Sequence, residues 1–213
     1  MYGKNEPHVQ NRQTRKQEWM MKTFFCAIIG LLVACQSILA DDSPFAEKLL
    51  KENHAAVFAV LQKQDLTQEV KNQKIIEIVT PMFDFSLMAK LTLGRKYWPG
   101  LNPEQKERFT QLFIKRLRTS YLGRLTLYTD EKVLYSPSVK VKQKIHIPTD
   151  LVSKDKRISI LYKFHESGSS WKIYDLEIQG VSIIRSYRSQ FHEILKSGTF
   201  DDLLAKLEQP VDD

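Results

Sequence analysis

From residue 44 onward the apolar positions recur with a helical period, and past Thr129 they recur with a period of two. Residues 44–62 place Phe45, Leu49, Val57, Val60 and Leu61 on one side, the pattern of an amphipathic helix. Residues 67–79 repeat it with Val70, Ile75, Ile78 and Val79, and Pro81 ends that helix. A short helix begins at Asp84, carries Leu87, Met88 and Leu91, and closes at Gly94. Tyr97-Trp98-Pro99-Gly100 is a turn. Asn102-Pro103-Glu104-Gln105 is a helix start: Asn102 caps, Pro103 fits the first turn, and Gln105 stands at the capping-box position. The helix that follows is expected to be the longest, reaching about Tyr128. Phe109, Phe113, Leu117, Tyr121 and Leu125 recur every four residues along it, with Leu112 and Tyr128 beside them. Lys106, Lys115, Arg118 and Arg124 fall elsewhere on this helix, where they can meet water.

The alternating part begins at Val133–Ser136. In Val139 to Ile147, Val139, Val141, Ile145 and Ile147 alternate with Lys140, Lys142, Lys144 and His146, giving one apolar and one cationic face. Ile158, Ile160, Tyr162 and Phe164 repeat the alternation. Ser167-Gly168-Ser169-Ser170 is a turn into a strand from Trp171 to Ile178. Short connections between about four strands predict an antiparallel sheet. Gly180 leads into the last helices, to Leu207. The fold class is therefore α+β: N-terminal helices, an antiparallel sheet, then C-terminal helices.

At the junction of the last strand and the following helix, Trp171, Tyr174, Val181, Ile184, Tyr187 and Phe191 form a continuous apolar surface. It is the wall either of a core or of a cavity. Periodicity alone leaves both open, although the large residues near it (Trp98, Tyr121, Tyr128, Tyr135, Tyr162) leave room for a cavity.

The first 40 residues have a different character. Met21-Lys22 precedes an apolar or small-residue run from Thr23 to Val33, too short to span a bilayer and suited to a signal peptide, with a cleavage site at Ala40 before Asp41-Asp42. Met1 to Met20 is a polar, basic extension, or reflects a start at Met20 or Met21. The chain thus divides into 1–40, extension and signal, and 41–213, the mature domain. A soluble exported protein is the preferred reading. Leu32-Val33-Ala34-Cys35 also has the pattern of a lipoprotein cleavage site, which would tether the protein through Cys35. Both cysteines, Cys26 and Cys35, lie in this segment, so a chain cut at Ala40 has no disulfide, thiol nucleophile or thiolate metal site. Of the formal net charge of +7, +3 resides in residues 1–40 and +4 in the remainder. That mild excess suits anionic lipid surfaces, and no basic run with interleaved aromatics points to nucleic acid.

The mature part offers little chemistry. His54, His146, His165 and His192 show no metal-ligand spacing, and His146 and His165 fall on outward strand positions, as solvated surface histidines. There is no nucleophile elbow, P-loop or dinucleotide fingerprint. Asp175 is either a buried acid/base or, more simply, a carboxylate bonded to a nearby turn or cap.

Three blocks carry a resemblance. They are Pro81-Met82-Phe83-Asp84-Phe85 with Met88-Ala89 and Leu93-Gly94; Trp98 with Pro103, Gln105 and the stripe from Phe109; and Trp171-Lys172-Ile173-Tyr174-Asp175 with Gly180-Val181-Ser182 and Tyr187-Arg188-x-Gln190-Phe191, followed by Gly198 and Leu203-Leu204. Over residues 44–207 the chain resembles the MlaC family, or toluene-tolerance auxiliary proteins. It departs at Ser186, where the family often has Asn, and in the lipoprotein-like site at Cys35.

The resemblance implies a nuclear-transport-factor-like fold with a deep apolar cavity, no enzyme activity, no cofactor and phospholipid as cargo. It implies a periplasmic, monomeric carrier. Its partners would be an inner-membrane ABC transporter complex with a lipid-binding hexamer and an outer-membrane lipoprotein–porin complex, its role to maintain outer-membrane lipid asymmetry. On that basis the expected wall is Met88, Leu91, Trp98, Phe113, Leu117, Tyr121, Ile160, Tyr162, Trp171, Val181, Ile184 and Tyr187. Arg95 and Arg188 are expected at the phosphate, and Asp175 and Gln190 are expected to hold the junction in shape. The rival expectations are a small hydrolase or isomerase using Asp175, and an adaptor tethered through Cys35.

Overall fold

The computed structural model describes residues 43–122, 132–153 and 156–210. The expected export segment, with Cys26, Cys35 and Ala40, lies outside the described residues, as do Leu125 and Tyr128. The elements in chain order are α1 (Ser43–Leu61), α2 (Gln68–Val79), α3 (Phe85–Tyr97), α4 (Pro103–Leu117), β1 (Lys132–Tyr135), β2 (Val139–Val141), β3 (Lys144–Val152), β4 (Arg157–Ser167), β5 (Ser170–Ile178), β6 (Val181–Ser182), α5 (Ile183–Ser197) and α6 (Phe200–Glu208). This is the expected α+β order. Among the described residues, no helix is long and apolar enough to cross a membrane.

The helix starts follow from local chemistry. Asn102 Oδ1 accepts from the Gln105 amide at 2.8 Å, and the Gln105 side chain accepts from the Asn102 amide at 3.0 Å, closing the expected capping box. Asp84 caps α3 by accepting from the Leu87 amide at 2.9 Å. Gly94, at φ 64°, breaks the helical path of α3 in a region that other residues enter only with strain. The helix expected to reach Tyr128 is regular only to Leu117 and then widens into a π-helical turn, Arg118–Leu122. An apolar stripe at spacing four drifts about 40° per step around a 3.6-residue helix, and a wider turn reduces that drift.

The sheet has six strands rather than about four, all pairs antiparallel, in the order β1-β3-β4-β5-β6 with β2 also on β3. Val139 to Ile147 is not one strand. It folds back at Lys142-Gln143, with Lys142 at φ 59°, into a hairpin. That turn lacks the Gly or Asn that would mark it in a sequence. Lys140, Lys142 and Lys144 therefore do not share one strand face. Gln179 (φ 49°) and Gly180 (φ 78°) form a further tight turn, which yields the short β6 before α5. Between Lys163 and Phe164 the β4–β5 register shifts, so that Tyr174 is an extra residue on β5.

Two main clusters are packed. Phe109, Phe113, Tyr187, Phe191, Leu203, Leu204 and Leu207 join α4, α5 and α6 to α3. Ala46 and Leu50 of α1 pack with Ile145, Ile147, Phe164, Trp171 and Ile173 of the sheet. Phe45 was expected on the inner side of α1 but is 54% exposed. The buried stripe instead runs through Ala46 and Leu50, one residue round the helix.

Candidate functional site

Between the sheet and the helices lies a cavity of about 370 Å³. The sheet contributes Leu151 of β3, Ile158, Ile160 and Tyr162 of β4, and Ile173, Leu176 and Ile178 of β5. Alternation puts 158, 160 and 162 on one face. The irregularity at Tyr174 lets Ile173 and Leu176 share that face although they are three residues apart. α1 contributes Leu50, Asn53, His54 and Val57, the i, i+3, i+4, i+7 stripe of one helix face. Met82, Phe83, Phe85, Met88, Leu117, Tyr121 and Ile183 supply most of the remaining wall. The size lies within the roughly 300–1,000 Å³ of ordinary ligand cavities.

Polar groups in this wall are few. His54 Nδ1 lies 2.7 Å from the Tyr135 hydroxyl, and its Nε2 lies 3.0 Å from the Tyr162 hydroxyl. Burial pulls the His54 pKa down to about 4 and pushes that of Tyr162 up. The imidazole is therefore neutral near pH 7, donating from one nitrogen and accepting at the other. The array ties α1 to β1 and β4. Asn53 Nδ2 donates to the Leu49 carbonyl at 2.9 Å. Arg118 also lines the cavity, and its Nη2 donates to Thr80 Oγ1 at 3.2 Å. It was expected to face water. It lies instead beside Leu117 and Tyr121 on the wall side of the helix.

Of the residues expected to form the wall, Met88, Leu117, Tyr121, Ile160 and Tyr162 meet at the cavity. The others lie elsewhere. Phe113, Ile184 and Tyr187 are buried in the helical cluster, where the Phe113 and Tyr187 rings pack edge to face at 5.3 Å. Leu91 and Trp98 pack on the outside of that cluster, with Lys106 over the Trp98 ring. Trp171 packs with Ala46 and Leu50. Val181 is 59% exposed on the short β6. Arg188 donates through Nε and Nη2 to the Leu91 carbonyl, at the point where Gly94 breaks α3. Arg95 is exposed at the end of α3. Sequence reasoning missed His54 and Asn53, because polar residues inside an apolar helix stripe read as an interruption of the face.

Asp175 holds the junction in shape, as expected. Its Oδ1 accepts from the Ile184 amide at 3.2 Å, and its Oδ2 accepts from Ser182 Oγ at 2.8 Å and Lys163 Nζ at 3.0 Å. It therefore serves the N-terminus of α5, where a carboxylate is favoured. Lys163 also binds Glu177 at 2.8 Å. Burial opposes the Lys163 charge, but the bonds to Glu177 and Asp175 outweigh it and hold the ammonium pKa above its usual value. His146 and His165 are half-buried and each has a polar partner, rather than lying free on the surface. The His165 Nε2 lies 3.0 Å from Asp84 Oδ2, and the His146 Nε2 lies 3.4 Å from the Tyr174 hydroxyl. A wider cleft of about 720 Å³ beside them, between the β2–β3 turn and Gly168, opens to solvent.

The fold and the cavity define an α+β protein built around an internal apolar chamber. The chain belongs to the MlaC protein family, whose model matches residues 51–209. It is 21% identical over 199 residues to the intermembrane phospholipid transport system binding protein MlaC of Haemophilus influenzae, covering 88% of this chain and 91% of that one. It is 22% identical over 121 residues to a toluene tolerance protein of Pseudomonas putida, ttg2D, covering 56% of each. Its fold matches the solved phospholipid-binding protein of Ralstonia solanacearum, determined with a bound phospholipid, at a TM-score of 0.70 and 23% identity, over 79% of this chain and 96% of that one. The family is one of lipid-binding transport proteins, not enzymes, which removes the hydrolase or isomerase expectation for Asp175.

Proposed function

We propose that this chain is a periplasmic phospholipid carrier that holds acyl chains in the cavity between α1 and the sheet and moves lipid between the outer and inner membranes. The observation that carries this reading is the cavity wall, apolar on both the sheet side and the helix side. The names of the relatives in Haemophilus and Ralstonia support the same ligand. Each methylene left in water costs about 0.8 kcal/mol, so the roughly thirty of a two-tailed phospholipid would cost about 24 kcal/mol uncovered. A carrier must cover nearly all of them, so the apolar cavity of about 370 Å³ has to widen around the chains as it takes them up. Release then rests on a partner that binds lipid better than the carrier does, at an inner-membrane ABC transporter complex or an outer-membrane lipoprotein–porin complex. Export through residues 1–40, with cleavage near Ala40 and a monomeric product, belongs to the same reading. Transfer of a labelled diacyl phospholipid between vesicles tests it. Catalytic amounts of the protein should accelerate transfer, and an unchanged rate would refute the carrier.

A further inference from the structure

Arg118 is in an unusual electrical position. It lines the cavity, and its Nε is buried with no hydrogen-bond partner. Its described hydrogen bond is the neutral one from Nη2 to Thr80 Oγ1. No Asp or Glu stands among the described residues of the cavity wall. His54, the other titratable base there, is neutral near pH 7. Lys163 shows what this fold does with a cation it shields for structural reasons: two carboxylates, Asp175 and Glu177, hold it at 3.0 and 2.8 Å. A shielded cation lacking such a partner is costly to retain, and a buried donor with no acceptor adds to that cost.

We infer that Arg118, with Thr80, is an anion subsite of the cavity that takes the phosphodiester of a phospholipid or the carboxylate of a fatty acid while the chains occupy the apolar wall. The Nη N–H groups not spent on Thr80 donate to the oxygens of either group, and the Thr80 hydroxyl keeps its proton as a further donor. An arriving anion neutralises the charge, and Nε–H, which is enclosed in the structure, joins the contact only if the side chain turns. This deepens the carrier reading and rests on it. It replaces Arg188, whose guanidinium is bound to the Leu91 carbonyl, and the exposed Arg95.

The test uses delipidated protein incubated with vesicles that contain phosphatidylglycerol, dioleoylglycerol or oleic acid, the bound lipids being quantified by mass spectrometry. Wild-type protein should prefer phosphatidylglycerol or oleate over dioleoylglycerol by about tenfold or more, the range of one charge-assisted contact. Arg118→Met should lose that preference and still take up dioleoylglycerol, Arg118→Lys should restore most of it, and Thr80→Val should weaken it without touching the cation. Loss confined to phosphatidylglycerol identifies the phosphodiester as the ligand, and loss confined to oleate identifies the carboxylate. A preference that survives in Arg118→Met with dioleoylglycerol uptake intact overturns the subsite alone. A wild-type protein that takes up none of the three lipids overturns the carrier reading as well.

Discussion

The imidazole of His54 on α1 lies 3.0 Å from the hydroxyl of Tyr162 on β4, across the wall of the cavity. The same ring reaches Tyr135 on β1, so one histidine holds the first helix against two strands. Tyr162→Phe removes one of these bonds and keeps the ring. We expect a loss of about 1–3 kcal/mol of stability, because the buried imidazole nitrogen is left without a partner, with lipid uptake unchanged. Urea unfolding and vesicle uptake measure the two quantities. A fall in uptake at unchanged stability would mean that the hydroxyl serves the ligand.

The buried His54 also makes the fold sensitive to acid. Its pKa is about 4 folded against 6.5 in the unfolded chain. Between these values the unfolded chain binds more protons, so stability rises with pH and is lost as the pH falls from 6.5 towards 4. The full shift corresponds to about 3 kcal/mol. His54→Phe should flatten this part of the stability curve, read as urea midpoints from pH 7 to pH 4.5. An identical slope in the variant would show that carboxylates alone set the acid sensitivity.

Asp175 is a structural carboxylate, and its loss should be felt in stability. Asp175→Ala leaves Lys163 with Glu177 alone and uncaps the Ile184 amide. Breaking a buried pair costs about 3–5 kcal/mol, and the half-buried remainder here places the expected loss near the low end. Lipid bound per folded molecule should not change. A folded Asp175→Asn protein that binds no lipid would contradict the assignment.

These contacts show what can be read from a chain and what cannot. The Asn102–Gln105 box and the Asp84 cap are local, written within four residues, and both form as expected. The stripe Phe109-Phe113-Leu117 is buried as expected, but its period says only that a face is covered, not by what. Phe113 turned out to face α5 while Leu117, one turn on, faces the cavity. Ile184 and Tyr187 went the same way as Phe113. The Lys142 turn was invisible because a lysine occupies a position where glycine is usual. His54 and Arg118 were invisible as wall residues because their places depend on partners 38 to 108 positions away in the chain. The family resemblance supplied a cavity that periodicity had left undecided, without saying which residues line it.

The position of the ligand can be challenged directly by filling the cavity. Ile160 and Leu176 stand on adjacent strands of its wall. Ile160→Trp should occupy space that acyl chains would take. Overpacking a filled core costs about 1–3 kcal/mol, so a variant that unfolds near the wild-type midpoint indicates room in the native protein. Val181→Trp, on the exposed β6, is the matched control and should alter neither property.

Native mass spectrometry of protein isolated gently from its host compartment tests the central claim most directly. The account predicts that wild-type protein carries the added mass of a diacyl phospholipid and that Ile160→Trp, still folded, carries much less. Wild-type protein that emerges at its bare mass and gains nothing from vesicles, or an Ile160→Trp protein as fully loaded as wild type, would contradict it.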